Sequence, residues 1–145
     1  MTHTLVLTAA GSSTRMNSDG KKEYLALSET PDCRVSVLSA SLYTFLAMKL
    51  FSFICITVPP GGEDNARDIL AADTRIAALL DETSCRLLFT DGGLTRQDSV
   101  RRGLESLFMH ACAGRGSPAT VLVHDAARPW VTERIIHEVL SETLK

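Results

Sequence analysis

Short apolar runs separated by polar loops dominate the hydrophobic pattern of this chain. Four of these runs are apolar at successive positions and rich in β-branched residues, a pattern typical of strands that are buried on both faces of a parallel sheet. They cover residues 4–8, 53–58, 86–90 and 120–124. We therefore predict four parallel strands.

Helical spacing of apolar residues follows three of these strands. After residues 86–90, the spacing predicts a helix that starts near Arg96 and packs one apolar stripe on the sheet. Thr132 is a suitable N-cap for the last predicted helix. The apolar faces of the three helices consist of Val100, Leu104, Leu107 and Phe108, of Ile69, Leu70, Ile76, Leu79 and Leu80, and of Ile135, Ile136, Val139 and Leu140.

The alternation of strands and helices indicates the fold class. Strand-helix-strand units form right-handed crossovers, which build a parallel sheet. We predict an α/β domain with a Rossmann-like, mostly parallel sheet and helices on both faces. A length of 145 residues and a hydrophobic content of 45% suit one domain over residues 1–145. Residues 27–34 lie outside the predicted units, and we predict a loop there.

Charge and cysteine content narrow the classes of partner. The 15 basic and 17 acidic residues nearly cancel, so no long-range field favours a nucleic acid. No apolar run approaches the roughly 20 residues of a membrane span, and the N-terminus lacks a secretory signal pattern. The four cysteines are widely spaced and contain no CxxC pair, so we expect reduced structural thiols. These features predict a cytoplasmic protein that binds neither nucleic acid nor membrane.

The loop after the first strand, residues 9–16, is rich in small and hydroxyl side chains. In a parallel α/β sheet, ligands bind at the carboxyl ends of the strands. Small side chains let backbone N–H groups approach a phosphate closely, while Arg15 and Lys22 add positive charge. The loop matches neither the P-loop nor the GxGxxG pattern. We predict a triphosphate site, the alternative being a solvated turn with incidental charges.

The loop at residues 91–99 follows the third strand. Its two glycines permit positive φ and close backbone approach before the helix begins. Arg96 and Ser99 lie one helical turn apart, so we expect them to face the same ligand. In the alternative interpretation, Asp98 and Ser99 only serve the first helical turn, and Arg96 is a surface charge.

The loop at residues 124–130 places an acid directly after an apolar strand. A carboxylate in that position is costly unless it is paired or binds a metal ion. Mg²⁺ prefers one or two carboxylates together with phosphate oxygens, so Asp125 is a candidate Mg²⁺ ligand. The alternative is an ion pair of Asp125 with Arg128 and no metal. We expect His124 to be a buried structural histidine and Trp130 to serve in packing.

Together the three loops supply backbone donors, fixed cations and one metal-binding acid, a set that suits phosphoryl or nucleotidyl transfer. Four motifs carry a closer resemblance: AAGxxxRM at 9–16, KxYL at 22–25, GGxxRxxS at 92–99 and VHDAARP at 123–129. With these motifs the chain resembles the 2-C-methyl-D-erythritol 4-phosphate cytidylyltransferases, which have the nucleotide-diphospho-sugar transferase type of fold. The resemblance implies that CTP and methylerythritol phosphate give a CDP-activated intermediate of non-mevalonate isoprenoid biosynthesis, with Mg²⁺ as cofactor.

The resemblance also implies a role for particular residues. Arg15 and Lys22 match the family's catalytic residues, which stabilise the transition state at the α-phosphorus of CTP. Asp125 matches its Mg²⁺ ligand. The resemblance implies a nucleotide pocket formed by Ala9, Ala10, Gly11, Gly93, Arg96, Ser99, Asp125, Ala126 and Arg128.

The chain also departs from the family pattern. Ser13 stands where the family commonly has glycine, and Lys21 where proline often precedes the lysine. Family members continue beyond the position of Lys145 with an arm that forms a homodimer and contributes to the acceptor site. We therefore expect a fragment or a short form, and two alternatives stay open: a sugar-phosphate nucleotidyltransferase for UTP or dTTP, and a non-catalytic CTP-binding module. The first loop lacks the dinucleotide glycine pattern and disfavours a dehydrogenase.

Overall fold

The computed structural model describes residues 3–11, 21–111 and 120–145. The strands are β1 (His3–Thr8), β2 (Ala26–Thr30), β3 (Cys33–Ser36), β4 (Phe51–Val58), β5 (Arg86–Asp91) and β6 (Thr120–Asp125). The helices are α1 (Val37–Ala47), α2 (Glu63–Ala71), α3 (Thr74–Glu82), α4 (Arg96–Ala111) and α5 (Glu133–Thr143), together with a short 3-10 turn at Lys22–Tyr24. Within these ranges, no helix has the length and apolar character needed to span a membrane.

Four strands form a parallel sheet in the order β5-β4-β1-β6, which confirms the predicted α/β class. The carboxyl ends of the strands are in register. Thr8 of β1 pairs with both Thr57 of β4 and Asp125 of β6, and Val58 of β4 pairs with Asp91 of β5. The loops that follow β1, β5 and β6 therefore leave the same edge of the sheet.

Helices cover both faces of the sheet, but unequally. Leu5 and Leu7 of β1 point into the main core, which includes buried residues of α1, α2, α3 and α5. Val6 points to the other face, where it packs with Cys55 of β4 and Leu107 of α4. The sheet therefore has a thick core on one face and a thin one beneath α4.

The predicted apolar stripe of α4 is only partly correct. Leu107 is buried, whereas Leu104 and Phe108 are 39% and 63% exposed. The buried face is formed by Leu107 and small residues, because α4 approaches β1 so closely that a Cβ on Gly103 would lie 2.6 Å from Val6 Cγ1. The predicted face of α5 divides in the same way, with Ile136 and Leu140 buried and Ile135 and Val139 exposed.

The prediction of a loop at residues 27–34 was wrong. Strands β2 and β3 pair there as an antiparallel hairpin. All five residues of β2 are exposed, so the hydrophobic pattern carried no signal for this strand. The Arg34 guanidinium anchors the hairpin by donating to the Tyr24 carbonyl at 3.0 Å, and the Arg34 amide donates to the Ala72 carbonyl at 2.8 Å.

Helix α1, for which the sequence analysis made no prediction, follows the hairpin directly. Ser36 and Ser39 form a capping box at its start: each side chain accepts a hydrogen bond from the other residue's backbone N–H. The helix then packs into the main core through Leu38, Leu42 and Phe45.

The three cysteines in the described ranges are unpaired thiols, and Cys112 lies outside those ranges. Burial raises the pKa of Cys55 to about 11 and that of Cys85 to about 12. Both thiols are therefore neutral at physiological pH, which suits a structural role.

Candidate functional site

One cavity, with a volume of about 570 Å³, opens at the carboxyl edge of the sheet. The loops after β1, β5 and β6 all contribute to its lining, together with Pro60 from the loop after β4. The residues of the predicted site that line it are Ala10, Gly11, Lys22, Gly93, Arg96, Ser99 and Asp125. The structure thus brings together seven of the residues that the sequence nominated on three separate loops.

Three other predicted residues, all within the described ranges, do not line this cavity. Ala9 and Ala126 are buried, and their N–H groups donate to the Thr57 and Thr8 carbonyls at 3.0 Å. Arg128 is exposed at the end of the β6 turn. Arg15 lies outside the described residues, so its position relative to the cavity stays a prediction.

The β5–α4 wall of the cavity, formed by Gly92, Gly93 and Ser99, is held by neutral groups in close contact. The Gly92 amide donates to the Val58 carbonyl at 2.7 Å. The buried Ser99 Oγ accepts from the Gly93 amide at 3.1 Å and donates to the Thr95 carbonyl at 3.2 Å. These bonds fix the turn that leads into α4.

Of the two reasons that the sequence suggested for the glycines of this wall, close backbone approach is present and positive φ is not. Neither Gly92 nor Gly93 has a positive φ. Instead, a Cβ on Gly92 would lie 2.2 Å from Ala10 Cβ, and one on Gly93 would lie 2.2 Å from Asp98 Cβ. The Gly92 backbone therefore lies directly against Ala10 of the loop after β1, and no side chain fits at either glycine.

Asp125 closes the turn after β6. Its Oδ1 accepts a hydrogen bond from the Ala127 amide at 3.0 Å, and the Arg128 amide donates to its carbonyl at 3.0 Å. Both side chains are described, and no ion pair joins Asp125 to Arg128, contrary to the metal-free alternative. The carboxylate therefore faces the cavity without a fixed cation from this turn.

The donor set of the cavity fits a divalent cation that is shared with a phosphate. Asp125 and Asp91 both line the cavity, and Asp91 also accepts from the Gly61 amide at 3.2 Å. Among the described residues, no cluster of three or more acidic, histidine or cysteine side chains forms a complete metal site. Mg²⁺ commonly takes one or two carboxylates and completes its shell with phosphate oxygens and water.

His124 and Trp130 flank the Asp125 turn. The His124 ring lies 5.2 Å from the Phe45 ring, and its Nε2 donates to the Arg128 carbonyl at 2.9 Å. These contacts are structural, as predicted, but His124 is half-buried and not buried. The expectation for Trp130 was wrong. It is 79% exposed, because the segment between β6 and α5 runs along the surface.

Sequence reasoning missed an ion pair next to the cavity. Lys21 Nζ lies 3.0 Å from Glu23 Oε2 and also donates to the Gly11 carbonyl. The two side chains are only 11% and 3% exposed. Burial lowers the pKa of Lys21, while Glu23 and the charge of Asp125 oppose that shift. The only signal in the sequence was that Lys21 occupies a position where the resembling family often has proline.

The cavity carries more than one cation. Lys22 and Arg96 line it, and so does Arg102, which the sequence analysis did not nominate. Neither arginine forms an ion pair with another residue of the described ranges. A cavity with three cationic side chains and several backbone N–H groups suits a ligand with several negative charges.

Comparison with known proteins identifies a family. The model of the 2-C-methyl-D-erythritol 4-phosphate cytidylyltransferase family matches residues 3–145. A protein of that name from Caldicellulosiruptor bescii is 30% identical over 138 residues, which are 94% of this chain and 51% of the relative. A bifunctional enzyme IspD/IspF from Paracoccus denitrificans is 35% identical over 140 residues, 96% of this chain and 30% of that protein.

The fold has relatives among solved structures. The crystal structure of 4-diphosphocytidyl-2C-methyl-D-erythritol synthase from Anaerococcus prevotii superposes with a TM-score of 0.61 at 22% identity, and the match covers 97% of this chain and 50% of that one. At that identity the likeness shows a shared fold. The chain spans about half, or less, of the length of the relatives it matches.

Proposed function

The chain belongs to the 2-C-methyl-D-erythritol 4-phosphate cytidylyltransferase family, and from that premise we propose that its strand-end cavity binds CTP together with Mg²⁺. We propose further that the whole protein transfers the cytidylyl group to methylerythritol phosphate and releases pyrophosphate. The observation that carries the proposal is the meeting of Gly11, Ser99 and Asp125, from three separate loops, in one cavity.

Each wall of the cavity has a part in this proposal. Backbone groups and the Ser99 hydroxyl, held in the close-packed β5–α4 wall, suit the edge of a small base. Lys22 and Arg96 supply positive charge for the phosphates. Asp125 is the residue that would hold Mg²⁺, and the ion would supply further charge neutralisation at the phosphate oxygens.

The proposed reaction is an in-line displacement at phosphorus. A phosphate oxygen of methylerythritol phosphate forms a bond to the α-phosphorus of CTP, and the bond from that phosphorus to the bridging oxygen of pyrophosphate breaks. Negative charge increases on the oxygens around the α-phosphorus during this step. A lysine fixed at the cavity wall lowers the barrier by neutralising that charge, which is the role we assign to Lys22, with Arg15 as its partner by resemblance.

Calorimetric titration of CTP, UTP and ATP into the 145-residue chain, with and without Mg²⁺, tests the binding step. We expect binding that prefers CTP, requires Mg²⁺ and weakens at least about tenfold, or 1.4 kcal/mol, in Asp125→Ala. Asp81→Ala is the matched control, because Asp81 is an exposed acid on α3 outside the cavity. Preference for UTP would favour a sugar-phosphate nucleotidyltransferase, and no binding of any nucleotide would contradict the proposal.

Pyrophosphate release on addition of methylerythritol phosphate tests the transfer step separately. Release that depends on both CTP and this acceptor supports the proposed reaction. CTP binding without release under these conditions would support the alternative of a CTP-binding module.

We also propose a cytoplasmic location and small molecules as the substrates. The unpaired thiols of Cys33, Cys55 and Cys85 are typical of a reducing compartment. The nearly balanced charge of the chain gives no support to a nucleic-acid partner.

A further inference from the structure

The buried ion pair of Lys21 and Glu23 connects two segments of the cavity wall. Lys21 stands directly before the 3-10 turn Lys22–Tyr24, whereas Gly11 belongs to the loop after β1. The Lys21 ammonium contacts both Glu23 Oε2, at 3.0 Å, and the Gly11 carbonyl. One cation thus joins the turn to the loop that follows the first strand.

This pair is a costly way to hold two segments together. Its side chains are 11% and 3% exposed, so both charges have lost most of their hydration. Buried ion pairs seldom add net stability compared with apolar groups of similar volume, because desolvation offsets the attraction. The pair is therefore better explained by the geometry it imposes than by the stability it adds.

That geometry concerns Lys22, the residue next in sequence. Lys22 and Glu23 both line the cavity, and Gly11 lines it from the loop after β1. The turn itself is short, with the Tyr24 amide donating to the Lys21 carbonyl at 3.0 Å and the Leu25 amide to the Lys22 carbonyl at 3.3 Å. A turn of three residues has few internal bonds, so external ties fix its position. Arg34 ties its Tyr24 carbonyl to the hairpin, and Lys21 ties its start to the loop after β1.

We propose that Lys21 is a positioning residue of the nucleotide site, which clamps the turn that carries Lys22 to the Gly11 carbonyl while Glu23 holds the Lys21 ammonium. The clamp sets the position of Lys22 relative to the loop after β1. This inference rests on the proposed function, since it concerns the same cavity. Lys21 contacts protein groups and not the reacting atoms, so its effect on the ligand passes through Lys22 and Gly11.

Nucleotide binding to a set of variants separates positioning from general stability. Lys21→Met leaves Glu23 buried without its cation, and we expect a lower unfolding temperature and CTP binding weakened at least about tenfold. In the double variant Lys21→Met/Glu23→Gln, the unfolding temperature should recover, whereas CTP affinity should stay low. Lys21→Arg retains the cation and should bind CTP within about threefold of the wild type.

Lys49→Met is the matched control, because Lys49 forms an ion pair with Glu82 in which both side chains are more than half exposed. It should leave CTP binding unchanged. A double variant that binds CTP as tightly as the wild type would overturn the positioning role.

Hydrogen exchange in the nucleotide-free chain tests the clamp without any ligand. The Tyr24 and Leu25 amides report on the turn, and we expect their exchange to accelerate at least about tenfold in Lys21→Met and in the double variant, but not in Lys49→Met. Unchanged exchange in the double variant would refute the clamp. If the wild type failed to bind CTP, the proposed function would fail, and this exchange measurement would still decide the clamp.

Discussion

Two walls of the same cavity are built by opposite means. The β5–α4 wall, formed by Gly92, Gly93 and Ser99, holds its shape with backbone contacts and one neutral hydroxyl. The second wall, which we call the β1 wall, is formed by Gly11 and Glu23. The Lys21 ammonium holds it together by a buried ion pair with Glu23 and a hydrogen bond to the Gly11 carbonyl. One wall is therefore fixed by packing and the other by electrostatics.

The two ways of holding a wall suit different parts of a ligand. A wall with no free space excludes a group that is too large, so the β5–α4 wall is suited to select the base. A wall of long charged side chains tolerates small displacements, but it requires both partners of its ion pair to be present and charged. The same kind of substitution should therefore have different consequences on the two walls.

The largest effect is expected from adding one methyl group to each wall. A Cβ on Gly92 would lie 2.2 Å from Ala10 Cβ and 2.7 Å from Ser99 Oγ, whereas a Cβ on Gly11 would meet only Glu23 Oε1 at 3.8 Å. Gly92→Ala should lower the free energy of unfolding by about 3 kcal/mol, at the upper end of overpacking costs. Gly11→Ala should change it by less than about 0.5 kcal/mol.

Urea denaturation of the two variants beside the wild type measures this contrast. Because Ala10 moves with the loop after β1, Gly92→Ala should also reduce CTP affinity. Equal stability of the two variants would mean that the β5–α4 wall accommodates an added methyl group as well as the β1 wall does. That result would contradict the claim that only the β5–α4 wall is fixed by packing.

A smaller effect is expected from removing the hydroxyl that holds the β5–α4 wall. Ser99→Ala leaves the Gly93 amide without its acceptor, which should cost about 1.5 kcal/mol in the free energy of unfolding. Ser52→Ala is the control. The Ser52 hydroxyl only donates, weakly, to the His3 carbonyl at 3.4 Å, and its loss leaves no amide unpaired. A cost for Ser99→Ala no greater than that for Ser52→Ala would show that packing alone holds this wall.

The β5–α4 wall was largely predictable from the sequence, because its parts are consecutive. Residues 86–90 were predicted as a strand and form β5, Arg86–Asp91, and α4 begins at the predicted Arg96. Parallel strands necessarily bring their following loops to one edge, so the meeting of Ser99 with Asp125 followed from the fold class. Of the two reasons given for the glycines, positive φ was wrong, whereas the close backbone approach is present between Gly92 and Ala10.

The β1 wall was not predictable, because its contacts join segments that no periodic pattern connects. Lys21 and Glu23 are polar residues in a polar stretch, and nothing in the chain reports that they are buried. The hairpin of β2 and β3 was missed for a related reason: its exposed residues lack the apolar alternation that marks a strand. Hydrophobic patterns reveal which residues form the core of a protein. They do not reveal a buried ion pair or an exposed hairpin, which only the three-dimensional structure shows.

The smallest effect should appear in the dependence of stability on pH. Burial lowers the pKa of Lys21 from 10.5; Glu23 and Asp125 oppose this shift, and Lys22 adds to it. Between the lowered pKa and 10.5, the unfolded chain binds more protons than the folded chain, so the contribution of Lys21 to the free energy of unfolding rises with pH. The contribution is least favourable at lower pH, where Lys21 is charged in both states.

The slope from one lysine cannot exceed about 1.4 kcal/mol per pH unit. We expect the slope due to Lys21 to disappear in Lys21→Met/Glu23→Gln and to persist in Ser99→Ala. The reason is that, of the two walls, only the β1 wall is held by the Lys21 ammonium, whose lowered pKa produces the slope. The measurement is the difference in free energy of unfolding between each variant and the wild type, from pH 8 to the alkaline limit of reversible unfolding. If the double variant kept the wild-type slope, Lys21 would be as well hydrated as a surface lysine, and the contrast between a packed wall and a charged wall would lose its physical basis.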